Sequence, residues 1–225
     1  MNIMKLAPSK HREGRWLVWL DDGSLIRLGR NEVADFGLYQ GMELDEKLLQ
    51  TLLDAAEEGA MKRRALDALT ARPMSRKELV DKLTAKPRRR PSEPEDGEAP
   101  QEDGETLKAR ADAVADRLEE LGLLNDEAYA AQVAQHCAAK GYGARRIRDE
   151  LFRRGVPRAY WDAALEQVPD PAGSIDAFVE KKLRGWTGDP KELKRVSDAL
   201  ARRGFSWQDI SAALRRYEAE LEEEP

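Results

Sequence analysis

The sequence is poor in the residues that build metal sites, disulfides and membrane spans. Only Cys137 is a cysteine, and only His11 and His136 are histidines, in a chain of 225 residues. One cysteine excludes an internal disulfide, and these three residues are too few for a four-ligand zinc site. No run approaches the roughly 20 apolar residues of a membrane helix, and residues 1–14 lack the apolar region of a secretory signal. We therefore expect a cytoplasmic protein without metal, cofactor or membrane contact.

Sequence motifs for catalysis are missing as well. The chain contains no glycine-rich phosphate loop of the GxxxxGK type and no nucleophile beside a base at a recognisable spacing. His136 lies in an alanine-rich stretch, where a surface histidine is the ordinary interpretation, and Cys137 fits a small core residue better than a reactive thiol. These absences predict a binding protein rather than an enzyme, with no catalytic residues.

Charge is abundant, and its distribution is uneven. The chain has 38 basic and 43 acidic residues, which gives a net charge of −5. Residues 87–107 carry 3 basic and 7 acidic side chains, whereas residues 140–158 carry 7 against 2 and residues 181–216 carry 10 against 4. The negative net charge therefore comes mainly from the acidic segments. The rest of the chain is basic enough to suit an acidic or polyanionic partner.

Composition also marks the boundaries of the folded part. Residues 86–107 contain four prolines and only Ala99 and Leu107 as apolar residues, so we expect a disordered insertion there. Residues 221–225 form an acidic tail. Near the N-terminus, the alternating run Arg15–Asp21, the pair Asp22-Gly23 and a second apolar run predict a β-hairpin with a type I′ turn.

An internal repeat is the strongest pattern in the sequence. Residues 147–165, moved by 49 positions onto 196–214, match at 8 of 19 positions, including Asp149 with Asp198 and both Arg-Arg-Gly triplets. Residues 79–83 match 147–151 more weakly, which indicates an earlier copy interrupted by the insertion. Helices of about three turns are too short to be stable alone, so neighbouring copies must share surface.

The predicted fold is therefore all-α, with three tandem three-helix repeats in an elongated curved array and a small N-terminal β-hairpin extension at 1–43. Repeat one covers 44–125 with the insertion at 86–107, repeat two 126–169 and repeat three 170–220. The predicted helices are 44–71, 75–85, 107–121, 126–139, 143–154, 157–167, 174–186, 190–203 and 206–220.

Some of the basic residues stand where helix structure does not explain them. Arg145, Arg146 and Arg148 fall in the first half of a predicted helix, where the dipole opposes a cation, and their neighbour Ile147 points to the core. Such placement indicates a partner with phosphates or acidic side chains. Cations in the last turn suit the dipole, so a structural role explains these residues equally well: Arg153, Arg154, Arg202 and Arg203.

The aromatic residues are weighed in the same way. Packing is the more ordinary role for Tyr142, although a stacking contact with a partner is also open. We expect Trp161, Trp186 and Trp207 to belong to the core.

Several motifs together resemble the RecX family of recombination regulators. The resemblance runs from about Arg15 to Tyr217, and its central part is Leu121–Val156. The matching residues are Leu121-Gly122, Asn125-Asp126-Glu127, Tyr129-Ala130, Gly141-Tyr142-Gly143, Arg145-Arg146-Ile147 and Glu150-Leu151, with Ser75-Arg76-Lys77-Glu78-Leu79 upstream. The insertion after Lys86 and the acidic tail depart from the family pattern.

This resemblance implies a protein that lodges in the groove of the RecA filament on DNA, and we expect it to be a monomer. It implies inhibition of RecA strand exchange, ATP hydrolysis and coprotease activity in recombination and the SOS response, without catalysis of its own. The residues that we expect to contact RecA or DNA are Tyr142, Arg145, Arg146, Arg148, Arg153, Arg154, Lys191, Lys194, Arg195, Arg202 and Arg203.

An alternative function remains open from the same residues. The short helix pairs could act as helix-turn-helix units in a stand-alone protein that binds single- or double-stranded DNA without RecA. Tight binding to bare DNA with a steep salt dependence would favour this alternative.

Overall fold

In the computed structural model the chain is mainly helical, with a small antiparallel sheet near its N-terminus. The structure describes residues 1–85, 103–186 and 188–223. Residues 86–102 of the predicted disordered insertion lie outside the part of the chain that the structure describes, and the prediction is wrong for 104–107, which belong to a helix. Within the described ranges, no helix is long and apolar enough to cross a membrane. The predicted all-α class with a small N-terminal β element is confirmed.

The elements follow one another in a simple order along the chain. The strands are β1 (Ile3–Pro8), β2 (Arg15–Leu20) and β3 (Leu25–Gly29). The helices are α1 (Arg30–Asp35), α2 (Glu46–Ala71), α3 (Arg76–Thr84), α4 (Gly104–Glu120), α5 (Asp126–Ala139), α6 (Ala144–Arg153), a 3₁₀ turn (Arg158–Tyr160), α7 (Trp161–Glu166), α8 (Ala172–Leu183), α9 (Pro190–Arg202) and α10 (Trp207–Glu223).

These elements form two compact units. The first unit comprises Met1–Arg72 and Leu79–Leu123, and the second comprises Pro73–Glu78 and Leu124–Pro225. The two units do not coincide with the three repeats expected from the sequence, so the exact repeat boundaries stay a prediction.

The sheet of the first unit has the strand order β1-β2-β3, and both pairings are antiparallel. The predicted hairpin is present as β2 and β3, but strand β1 was not predicted. Its stretch has weak alternation and ends at Pro8, and its register with β2 shifts between Ile3 and Lys5. Strand formation depends on pairing and packing more than on intrinsic preference, so such a stretch leaves little local signal in the sequence.

The predicted type I′ turn is wrong. A type I′ turn needs a positive φ at both central residues, but Gly23 has a φ of +86° and no non-glycine residue in the described chain has a positive φ. The amide of Gly23 instead donates to the carbonyl of Leu20 at 3.1 Å, and that of Ser24 donates to the Asp22 carboxylate at 2.9 Å. The loop is therefore one with a single left-handed glycine, in which Asp22 satisfies the next backbone amide.

One face of the sheet builds the core of the first unit. Val18, Ile26 and Leu28 point to this side and are almost fully buried. They pack in one cluster with Leu52 of α2 and with partly buried side chains of α1, including Val33. The opposite face of the sheet carries the alternate residues of each strand.

The second unit contains two further clusters of buried residues. Helices α5, α6 and α7 enclose one that includes Ile147 and Leu151, and α8, α9 and α10 enclose another that includes Leu200. Cys137 is buried in the first of these clusters, which confirms its predicted core position. Trp207 is 71% exposed, so its predicted core position is wrong: it is the first residue of α10, directly beyond the Ser206 cap.

Two helix ends differ from prediction in the acidic segments. Helix α4 begins at Gly104 rather than 107, because the carboxylate of Asp103 caps it by accepting the amide of Thr106 at 2.7 Å. Helix α10 continues to Glu223, three residues into the predicted tail. Glutamate is a good helix former, so acidic composition alone does not end a helix.

Candidate functional site

Three of the basic residues expected from the sequence, Arg145, Arg146 and Arg202, meet where α6 begins and α9 ends. The amide of Gly143 donates to the carbonyl of Arg203 at 2.9 Å, and the amide of Arg145 donates to the carbonyl of Gly204 at 3.1 Å. No side chain caps the N-terminus of α6. The last carbonyls of one helix thus satisfy the first amides of the other, and the two helix dipoles run head to tail.

Two glycines allow this close approach. A Cβ atom on Gly143 would lie 2.4 Å from the carbonyl oxygen of Gly204, and one on Gly204 would lie 2.4 Å from the amide nitrogen of Arg146. Gly204 also has a φ of +89°, in the left-handed region that favours glycine. A side chain at either position would force the two helix ends apart.

An open groove of about 440 Å³ lies beside this junction. Both helices contribute charged side chains of both signs to its wall. The lining residues are Arg145, Arg146, Asp149, Asp198, Ala201, Arg202 and Gly204.

Three cations of the groove face solvent. Arg145, Arg146 and Arg202 are exposed, and the guanidinium of Arg146 lies 5.0 Å from the ring centre of half-buried Tyr142. Among the described residues, the ion pairs of α6 involve Arg148, Arg153 and Arg154, but not Arg145 or Arg146. The groove therefore presents arginines that form no ion pair with another described residue.

Two other predicted arginines on α6 have exposed side chains and form ion pairs. Arg148 lies 3.6 Å from Asp162, whose side chain is 87% exposed, and Arg153 contacts Glu150. The pair of Arg148 with Asp162 is exposed on both sides and contributes little to stability, at most about 1 kcal/mol. Arg148 therefore stays available to a partner at low cost, whereas Arg153 contacts a half-buried carboxylate that also binds Arg154.

Arg154 is engaged inside the second unit. Its Nε donates to Glu150 at 2.7 Å and its terminal nitrogen donates to the hydroxyl of Tyr129 at 2.6 Å. That hydroxyl in turn donates to Glu78 at 3.1 Å, and the carbonyl of Arg154 accepts the hydroxyl of Ser75. The motif residues Ser75, Glu78 and Tyr129 thus build a hydrogen-bonded network, and Arg154 is part of it.

The basic residues of α9 separate into two groups. Arg203 is half-buried, 4.5 Å from the ring centre of Phe178, and Arg195 lines a different cavity beside that ring. Lys191 and Lys194 are exposed, and helical spacing places Lys194 on the groove side with Asp198. The structure brings Arg202 to the groove and does not bring Arg195 there.

Sequence reasoning missed several features of this region. Asp149 and Asp198 line the groove, and their identity in the repeat was the signal that marked them. Phe152 is 66% exposed on α6, and nothing in its apolar character distinguished it from a core residue.

Beyond the groove, Asp126 at the start of α5 is a buried carboxylate. Its Oδ1 accepts the amide of Arg76 at 2.7 Å. Burial raises the pKa of Asp126, and the hydrogen bond from Arg76 opposes that rise. The charged form thus carries a desolvation cost that a neutral acceptor would not.

We expect Asp126→Ala to lower the free energy of unfolding by about 1–3 kcal/mol, because a buried amide loses its acceptor. Asp126→Asn keeps the acceptor and should cost less. Because the folded-state pKa is raised, wild-type stability falls as pH rises through the range above the ordinary carboxyl pKa of about 4. Urea titrations across this range should show that the free energy of unfolding of Asp126→Asn rises relative to that of wild type as pH increases. A difference that stays constant with pH would contradict the raised pKa.

The described residues do not suggest metal chemistry. In the ranges 1–85, 103–186 and 188–223 no group of three or more His, Cys, Asp or Glu side chains could hold an ion. His136 is exposed, as expected for a surface histidine.

Comparison with known proteins matches this architecture to one family. The family models described as the second and third three-helix domains of RecX match residues 125–165 and 174–214. The regulatory protein RecX of Pseudomonas fluorescens SBW25 is 34% identical over 69% of this chain and 90% of its own length. That of Levilactobacillus brevis is 32% identical over 91% of this chain and 72% of its own length.

A solved structure supports the same fold. The crystal structure of a regulatory protein RecX superposes with a TM-score of 0.68, covering 95% of this chain and 98% of its own, at 24% identity. Together with the relatives and the domain matches, this likeness leaves one assignment: the chain belongs to the RecX family of regulatory proteins.

Proposed function

We propose that this chain binds the RecA filament on DNA and limits its ATPase, strand-exchange and coprotease activities. Membership of a family of regulatory proteins supports a regulatory role, and the motif resemblance points to RecA as the target. The observation that carries the proposal is the exposed groove at the α6–α9 junction, which collects Arg145, Arg146 and Arg202.

The groove suits a protein partner better than a bare phosphate backbone. Asp149 and Asp198 lie in its wall beside the arginines. A uniform row of phosphates would be repelled by these carboxylates, whereas a protein surface can present acids to the arginines and bases to the aspartates. Arg148 of α6 and Lys194 of α9 are further exposed cations on the same two helices.

The groove also has the rigidity that a binding surface needs. Beside it, the hydrogen bonds from Gly143 to Arg203 and from Arg145 to Gly204 join the two backbones. The arginines therefore project from two helix ends held at a set spacing, and little ordering of the backbone is required on binding. Binding would occur without catalysis by this chain, because its role is to occupy the filament.

The test is the DNA-dependent ATPase of RecA from the same cell, titrated with this protein at sub-stoichiometric and stoichiometric ratios. We expect the ATPase rate to fall in a saturable manner. An unchanged rate, with no co-sedimentation of the chain with filaments, would overturn the proposal.

The second candidate function is stand-alone DNA binding by the repeats, which the excess of exposed cations on α6 and α9 favours. Gel shifts with bare single- and double-stranded DNA discriminate between the two. Tight binding that is abolished by changes at Arg145 and Arg146, without any effect on RecA, would favour this alternative.

A further inference from the structure

The outer face of the N-terminal sheet combines cations with an aromatic ring. Side chains alternate along a strand. Trp19 lies between the buried Val18 and Leu20 and therefore points away from the core, as do the two neighbours of buried Ile26 in β3. The register places Leu17 opposite Arg27, Trp19 opposite Lys5, and Arg15 opposite Gly29. The outer face therefore carries Lys5, Arg15, Leu17, Trp19, Leu25 and Arg27.

These outer side chains remain accessible. Lys5 is exposed, and Arg15, Leu17, Trp19 and Arg27 are half-buried. The ammonium of Lys5 lies 4.9 Å from the centre of the Trp19 ring. A cation beside an indole on an open sheet face gives both charge and a flat apolar surface to a ligand.

A cluster of arginines continues this face at the start of β2. Burial lowers the pKa of Arg15, and the charges of Arg12, Arg63 and Arg27 lower it further, so these like charges lie close together. The Nε atoms of Arg15 and Arg63 are buried without a hydrogen-bond partner among the described residues. The carboxylate of Glu32 lies 3.7 Å from Arg63. The cluster therefore brings several guanidinium groups to the end of the sheet at which β2 begins.

The acidic residues of this segment lie outside the outer face. Residues 1–30 contain six basic side chains and three acidic ones. Glu13, Asp21 and Asp22 all lie in loops, where Asp22 accepts the amide of Ser24 and Asp21 accepts the side-chain amide of Asn2. No strand position of the outer face carries an acid, in contrast with the α6–α9 groove.

From this arrangement we propose that the outer face of the N-terminal sheet is a binding site for single-stranded DNA. The phosphates contact Lys5, Arg15 and Arg27, and a base stacks on Trp19 after Lys5 moves off the ring. An acidic protein would use the cations but would have no need of the indole, whereas a DNA strand uses both. This site is separate from the α6–α9 groove and does not depend on the proposed action on RecA.

The test compares two double variants of the full chain. Lys5→Glu/Arg27→Glu reverses two charges of the face, and Lys47→Glu/Lys108→Glu reverses two exposed charges elsewhere in the same unit. In fluorescence anisotropy with labelled oligothymidine, we expect the first variant to bind at least about tenfold more weakly than the control. Its salt slope, log K against log salt, should fall by about 1.4, since each neutralised phosphate contributes about 0.7 on single strands.

Further measurements separate loss of the site from loss of the fold and identify the ligand. Lys5→Gln/Arg27→Gln, with far-UV circular dichroism and melting as for wild type, should show an intermediate loss. An oligonucleotide carrying 5-iodouracil should crosslink to Trp19. Equal affinity of the reversal variant and the control, or crosslinks confined to residues 124–223, would overturn the proposal. Tighter binding of polyglutamate or of duplex DNA at this face would do the same.

Discussion

Replacing Gly204 by alanine should lower the free energy of unfolding of the second unit by about 3–4 kcal/mol. A left-handed conformation costs an alanine about 1–2 kcal/mol. The new Cβ atom would also meet the amide nitrogen of Arg146 at 2.4 Å and disturb the hydrogen bond from Arg145 to the carbonyl of residue 204, which adds about 2 kcal/mol. Urea unfolding followed by circular dichroism measures the loss.

Gly188 provides a matched control for this prediction. Its φ is +91°, nearly the same as that of Gly204, but a Cβ atom there meets nothing within 4 Å. Gly188→Ala should therefore cost only the conformational part, about 1–2 kcal/mol. If both variants lose the same stability, the close contact between α6 and α9 does not contribute as described.

The largest expected effect on function comes from the variant Arg145→Glu/Arg146→Glu/Arg202→Glu. These three exposed cations line the groove, and an interface charge contributes on the order of 1 kcal/mol when its partner carries the opposite sign. We therefore expect the concentration for half-inhibition of the RecA ATPase to rise by about 100-fold. The stability of the variant should stay near that of wild type, since these side chains are exposed.

The control for this variant reverses three exposed cations of the second unit outside the groove. Lys140→Glu/Arg184→Glu/Arg215→Glu makes the same change in net charge. Inhibition should weaken only slightly, through loss of long-range attraction that added salt also removes. Equal loss in the two variants would mean that net charge, rather than the groove, determines binding.

Much of the helical architecture follows from local signals in the sequence. Helix α5 has the predicted bounds 126–139, because Asn125 caps it through the amide of Ala128 and a glycine stands just past its end. The repeat of the Arg-Arg-Gly triplets correctly located the turns at Gly155 and Gly204, both with positive φ. Signals of this kind act within a few residues, and the sequence displays them directly.

Long-range contacts could not be predicted in the same way. The sequence identified Gly204 as the end of α9, but it contained no sign that this turn would cap α6 some 60 residues earlier. For the same reason, the sequence could not tell whether Arg154 or Arg202 binds a partner, because both lie in the last turn of a helix. Tertiary contacts place Arg154 in a network with Tyr129 and leave Arg202 exposed in the groove.

The proposed placement of function in the α6–α9 groove is tested most directly by binding of the labelled chain to two targets. One is a RecA filament preassembled on DNA with a non-hydrolysable nucleotide, and the other is the same DNA without RecA. Our account predicts binding to the filament at least about tenfold tighter than to bare DNA, and a loss of that preference in the triple variant at Arg145, Arg146 and Arg202. Equal affinity for both targets, or a preference that survives in the triple variant, would contradict it.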